Sequence, residues 1–173
     1  YDINAKVDVI HNAMHTLQNV HLTKAEETFT LNFATKPAAV VFDPTHDFLR
    51  EIPKLNWSAE ELPSILMLGL NAVDRAEAMR RLMIDPTDAN VRLVVAALIA
   101  DNKAFPVFRQ TAALANLAKP ELRAFWLGQL DHPDMDRQTQ AVTALAKLPA
   151  DAATTAKLRS LINDKSGINV VTG

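Results

Sequence analysis

Arg109-Gln-Thr-Ala-Ala-Leu-Ala-Asn-Leu117 and Arg137-Gln-Thr-Gln-Ala-Val-Thr-Ala-Leu145 spell one pattern, R-Q-T-x-A-aliphatic-x-x-L, 28 residues apart. A fainter copy, Asp74-Arg-Ala-Glu-Ala-Met-Arg-Arg-Leu82, lies 35 residues before the first. Repetition at the length of one helix pair, with apolar residues at i, i+1 and i+4, constrains the fold more than any other feature. One such pair cannot bury its own apolar face; stacked pairs can. The alignment predicts Ala113 and Ala141 as equivalent small residues where two helices approach closely. Leu114 with Leu117, and Val142 with Leu145, then share the buried stripe, while Ala115 and Thr143 face outward.

Helix starts around the copies are well marked. Ser58-Ala-Glu-Glu61 has capping-box form and predicts a first helix to about Leu70, with Pro63 near its first turn. A second is expected from about Val73 to Ile84. Asp85-Pro86 reads as N-cap and first residue of a third, ending near Ala100. Asp101 or Asn102 caps a fourth, with Pro106 in its first turn. Pro120 opens a fifth to about Leu130, Pro133 a sixth to about Lys147, and Asp151 caps a seventh to about Asn163. Short breaks between them call for antiparallel neighbours.

The first 43 residues have another rhythm. Ile3, Ala5, Val7 and Val9 alternate with polar residues, a period of two. Leu17 to Leu22 is a second candidate strand after a turn near Asn12. Thr28-Phe-Thr-Leu-Asn-Phe33 alternates cleanly, and Ala38-Ala-Val-Val-Phe42 is an apolar run bounded by Pro37 and Asp43-Pro44. Phe29, Leu31, Phe33, Val41 and Phe42 are expected to be buried in a sheet. Four short strands suggest an antiparallel sheet, part of a sandwich. The expected fold is thus α+β: a β-sandwich piece over residues 1–50, a docking connection at 51–57 carrying Ile52, Leu55 and Trp57, and a HEAT-like helical-hairpin solenoid of about seven helices over 58–173.

Composition narrows the function classes. Hydrophobic residues make up 49% of the 173, enough for a real core, and the formal charge of −2 comes from interspersed signs. The lack of a basic block argues against a nucleic-acid surface. The longest apolar stretch, Val91 to Ala100 interrupted by Arg92, is too short to span a bilayer. No cysteine is present, which excludes disulfides, thiolate zinc sites and a Cys nucleophile. Tyr1-Asp-Ile-Asn lacks an initiator Met and the end, Asn169-Val-Val-Thr-Gly173, has no helix cap, so the chain reads as a piece of a longer protein.

Each chemical candidate has a plainer reading. His11 and His15 have the i, i+4 spacing that would aim two imidazoles at one ion on a helix, but they fall on a strand and turn and read as surface histidines. His21 and His46 stand alone, and His132 precedes Pro133 in a turn. Asp43, Asp47 and Glu51 lack the alternating oxygens and central Gly of a Ca²⁺ loop and read as turn and cap residues. Arg109 and Arg137 recur at one repeat position. They form either a row able to hold carboxylates bidentately or, as favoured, structural pairs with Asp101, Asp131 or Asp136, or with carbonyls of the neighbouring repeat. Trp57 and Trp126 read as core, and Met67, Met79 and Met83 fit the apolar helical face. No G-x-S-x-G, S-x-x-K or Gly-rich phosphate loop occurs. These residues yield no catalytic, cofactor-binding or metal-binding assignment.

The order of the pieces resembles one family. Thr28-Phe-Thr-Leu-Asn-Phe33, then Lys36-Pro-Ala-Ala-Val-Val-Phe-Asp-Pro44, then Leu49-Arg-Glu-Ile52, resembles the close of the small β-sandwich domain of aminopeptidase N-like zinc peptidases. Asn71 to Leu82 resembles the D-R-x-x-A-x-x-x-L helix that follows. Asp101 to Leu114 resembles the D-x-x-x-x-V-R-x-x-A-A-x-A-L repeat of the family's HEAT-like C-terminal domain, with Phe108 separating Val107 from Arg109. The resemblance implies a zinc-dependent catalytic domain upstream, carrying H-E-x-x-H, a distant Glu ligand and a Tyr, none of which has a match here. It implies a non-catalytic segment that packs on that upstream domain and shapes access of peptide substrates to its cleft, with zinc held only in the parent domain. A HEAT-like protein-binding scaffold without peptidase activity is the competing expectation. A stand-alone enzyme is disfavoured.

Overall fold

A computed structural model of the chain describes residues 2–48, 56–100 and 111–163. Among these residues lie a three-stranded antiparallel sheet and seven α-helices, a mixed α+β fold. The chain divides into two compact units, Tyr1–Asp101 and Asn102–Gly173. Part of the docking connection, the caps Asp101 and Asn102, Pro106, Arg109 and the tail 164–173 lie outside the described residues, as does Glu51.

In the first unit, β1 (Ile3–His11) and β2 (Met14–Leu22) form a hairpin, and β3 (Ala39–Phe42) adds to the other side of β1 in the order β2-β1-β3. The turn is two residues, Asn12 and Ala13, both with positive φ, as a hairpin turn matching the right-handed strand twist requires. Central β1 is covered on both faces near its end. Ala5 and Val9 are buried on one side of the pleat, Asp8 and Ile10 on the other. The Thr28–Phe33 strand is not formed. That stretch has no ladder, Phe29 is 42% exposed and Leu31 is also exposed. The stretch that follows it, through Pro37, instead folds beside Val9 and Val40 and leaves a shallow groove of about 290 Å³. Val41 is buried as expected; Phe42, on the opposite side of its strand, is exposed.

Three helices complete this unit: α1 (Leu62–Leu68), α2 (Ala72–Leu82) and α3 (Asp88–Ala100). The Ser58 box is half made. Glu61 accepts from the Ser58 N–H at 2.8 Å, while the Ser58 hydroxyl donates to the same carboxylate oxygen. A turn therefore precedes α1, and regular helix begins at Leu62. The other oxygen of Glu61 accepts the Val40 N–H at 3.2 Å, joining the start of α1 to the edge of β3. A Cβ at Gly69 would lie 2.6 Å from the Ile65 carbonyl oxygen, so the stop of α1 requires glycine. Asn71 caps α2 through the Val73 N–H. The cap of α3 is Thr87, whose hydroxyl accepts from Asn90 N–H, in place of Asp85; the Asp85-Pro86 pair immediately precedes it.

The second unit contains α4 (Ala112–Asn116), a 3-10 turn at Pro120–Leu122 running into α5 (Arg123–Gln129), α6 (Met135–Ala146) and α7 (Ala152–Asn163). Asp134 caps α6, with Pro133 just outside, and Asp151 caps α7 through Thr154 N–H. Its core includes Leu114, Trp126, Leu130, Ala141, Ala144, Leu145 and Leu148.

The burial of α4 departs from the repeat alignment. Ala141 is 0% exposed, whereas Ala113 is exposed and Ala115, expected outside, is buried. The buried set Thr111, Leu114, Ala115 maps onto Ala141, Ala144, Leu145, two residues off the shared phrase. Two residues turn a helix by about 200°. The fainter copy fares better, since Asp74, Ala78 and Leu82 are buried as are Arg137, Ala141 and Leu145.

Candidate functional site

The sheet unit gathers buried carboxylates, two of them against imidazoles. Asp8, on central β1, has no exposed surface, and its Oδ2 lies 2.8 Å from Nδ1 of His15 on β2. The register sets His15 opposite Ile10, so the pair forms diagonally across the hairpin. The second pair joins loop to helix: His46 Nε2 lies 3.0 Å from Asp74 Oδ1 in the first turn of α2. Asp43, also buried, accepts the Asp47 N–H at 2.9 Å. Asp43 and His46 both have positive φ and are linked by a backbone hydrogen bond, making a tight exit from β3.

A buried carboxylate holding one ring nitrogen fixes the orientation of the other, the arrangement that prepares histidine for proton transfer or metal ligation. The surroundings decide what it can do. Among the described residues no group of three His, Cys, Asp or Glu is close enough to hold a metal ion. Strand alternation places His11 and His15 on opposite faces of the sheet, so the two cannot converge on one ion. His11 instead meets the Thr35 hydroxyl and lies against Phe33, their ring centroids 6.3 Å apart. His21 bonds Asn4 at 2.9 Å at the open end of the hairpin. Of the two imidazole–carboxylate pairs, one ties β2 to β1 and the other ties the β3 exit to α2.

The helical unit has its own polar clusters. Arg123 donates to the Asp151 carboxylate, to the Thr154 hydroxyl at 2.8 Å and to the Pro149 carbonyl, clasping the start of α5 to the start of α7. The Thr154 hydroxyl and then its N–H hold the Asp151 carboxyl below the ordinary aspartate range, and Arg123 adds to this. Lys157 pairs with Asp131 at 2.6 Å. Arg137 is 6% exposed and packed inside the unit. Burial, and then the nearby Arg137 charge, push the His132 imidazole below its usual value. Its Nδ1 accepts the Asp134 N–H at 3.0 Å, as the neutral ring allows. Arg109, the other member of the expected row, lies outside the described residues.

Trp126 is buried, while Trp57 is half-buried beneath the Arg81 guanidinium, 5.7 Å from the ring centroid. Glu77 binds both Arg80 and Arg81, and its bond to Arg80 is the largest cause lowering its carboxyl. No described helix is long and apolar enough to cross a membrane. The buried Asp8, Asp43 and Asp74 carried no signal in the sequence as core residues; the only hint was their place at a strand centre, a strand end and a helix first turn. No protein-family model, curated protein or solved structure matches the chain.

Proposed function

We propose that residues 1–173 are a non-catalytic part of a zinc aminopeptidase-like protein, packing on an upstream catalytic domain and shaping peptide access to its cleft. The supporting observation is the junction between sheet and helices. The Lys36–Pro44 phrase supplies β3, turns sharply at Asp43, and leads to a helix whose Glu61 binds back to β3. That succession follows the order of the resembling peptidase pieces. In this reading the sheet is one layer of a β-sandwich, which the burial of both faces of β1 supports. The helix pairs are rungs of a HEAT-like solenoid, which the matching burial of α2 and α6 supports. Zinc and the reacting groups belong to the upstream domain. The residues here contribute shape, as does the clasping of α5 to α7.

The test is the polypeptide encoded ahead of Tyr1. An H-E-x-x-H motif with a Glu roughly a helix-turn-helix later is expected, with stoichiometric zinc and hydrolysis of aminoacyl anilides by the whole protein but not by residues 1–173. Absence of the motif, with no zinc in the whole protein, overturns the reading and leaves a HEAT-like binding scaffold in its place.

A further inference from the structure

The two edges of the sheet are finished differently. The Asp43 N–H donates to the Lys6 carbonyl at 2.8 Å, so the backbone groups of Lys6, Asp8 and Ile10 face β3. Those of Ala5, Val7, Val9 and His11 therefore face β2, and by register they meet Val20, Gln18, Thr16 and Met14. The N–H and C=O groups of His15, Leu17, Asn19 and His21 point away from the sheet. Among the described residues no hydrogen bond falls on them. The β3 edge is four residues long and has its Val40 N–H covered by Glu61. The β2 edge is nine residues long, in unbroken register, with no Lys, Arg, Asp, Glu, Pro or Gly. Those residue types and bulges are the usual means of blunting an edge. Met14 is 65% and Leu17 51% exposed along it.

We propose that β2 is the interface of a twofold dimer of this chain, in which two β2 strands pair antiparallel about Gln18. This follows from the strand itself and does not depend on the peptidase reading. An axis through Gln18 sets His15 against His21 of the partner subunit and Leu17 against Asn19 of the partner subunit. These are hydrogen-bonded pairs made from the four residues whose groups are open. Moving the axis one residue either way leaves one of the four unpaired in each copy. Because the strand carries no acidic or basic residue apart from histidine, no carboxylate or ammonium meets its like across the seam. Nine residues at about 3.4 Å give a seam about 30 Å long. A seam of one strand per copy sits at or below the roughly 1,200 Å² of small specific interfaces. The association is therefore reversible and concentration-dependent.

The chain has no cysteine, so one can be placed at will. On this axis Gln18 faces its own copy as a non-hydrogen-bonded pair, with Cα atoms about 4.5 Å apart, within disulfide reach. Thr16 lies about 14 Å from its own copy, four residues along the strand. Under mild oxidation of the full chain at high concentration, Gln18→Cys should convert mostly to a reducible dimer, and Thr16→Cys should not. Sedimentation of the unsubstituted chain should show monomer passing to dimer with concentration. L17K with N19K should weaken the association at least tenfold, with unchanged circular dichroism. Equal cross-linking at positions 16 and 18, or a monomer at every concentration, overturns the proposal. If L17K with N19K misfolds, the ratio of cross-linking at 18 to that at 16 still decides.

Discussion

The segments 109–117 and 137–145 use the same words and bury different faces. In α6 Ala141 and Leu145 face inward and Thr143 outward, as the phrase predicts, while Val142 is half-buried and Ala144 is buried. In α4 the inward face is turned by two residues, with Ala113 outside and Ala115 inside. The difference lies in alanine. Ala112, Ala113 and Ala115 spread small apolar groups around α4, and a methyl group defines a face weakly because it carries little area. In α6 Thr139 and Thr143 mark the outer side, and only one rotation buries the rest. A repeated phrase thus identifies a helix more securely than it identifies the helix's orientation.

The comparison can be broken by substitution, following Trp126 fluorescence during denaturant unfolding in a Trp57→Phe background. The largest effects belong to the large side chains that both segments bury. Leu114→Ala and Leu145→Ala should each cost about 2–5 kcal/mol; a loss below about 1 kcal/mol at either would mean that its helix is misoriented. Next comes the divergent pair. Ala141→Leu overpacks a site with no free surface and should cost about 1–3 kcal/mol, whereas Ala113→Leu should stay within about 0.5 kcal/mol. Equal losses would restore the phrase alignment. Ala115→Leu should likewise destabilise by about 1–3 kcal/mol, and Thr143→Leu should be near neutral, the mirror image of the first pair.

A smaller effect concerns pH. The His132 imidazole is held below its usual value in the folded unit, first by burial and then by Arg137. Below the ordinary histidine range the unfolded chain then binds more protons than the folded one. Stability from this group is present above about pH 6.5 and is lost as pH falls towards the depressed folded value. His132→Asn should flatten the fall in unfolding midpoint between pH 7.5 and 5.5, and an unchanged slope would remove His132 from the account. The smallest expected effect is in the sheet unit: Phe29→Ala should cost less than about 1 kcal/mol, since the ring is exposed and no ladder runs through it.

Much of the local structure was legible because local chemistry determines it. The alternation at Ile3–Val9, the turn at Asn12, the short apolar strand before Asp43-Pro44, and the caps at Asp151 and beside Pro133 each depend on a few neighbouring residues. Thr28–Phe33 shows the limit. It has a good strand pattern, yet alternation supplies only a candidate edge, and a strand exists only when a neighbour accepts its hydrogen bonds. Asp85 shows another: the cap forms two residues later, at Thr87, whose hydroxyl accepts the Asn90 N–H. The imidazole–carboxylate pairs were hidden for a related reason. His15 and Asp8 are seven residues apart and His46 and Asp74 twenty-eight, so only the fold brings them together.

The sequence by itself determined which of the described stretches are helical, where α2, α6 and α7 begin, that a hairpin opens the chain, and that the class is α+β, because periodicity, proline and capping act over a turn or two of backbone. The tertiary structure decided which side of α4 is buried, that residues 28–33 remain outside the sheet, and that Asp8, Asp43 and Asp74 lie in the interior. Burial and hydrogen-bond pairing are relations between segments, and no single segment carries them.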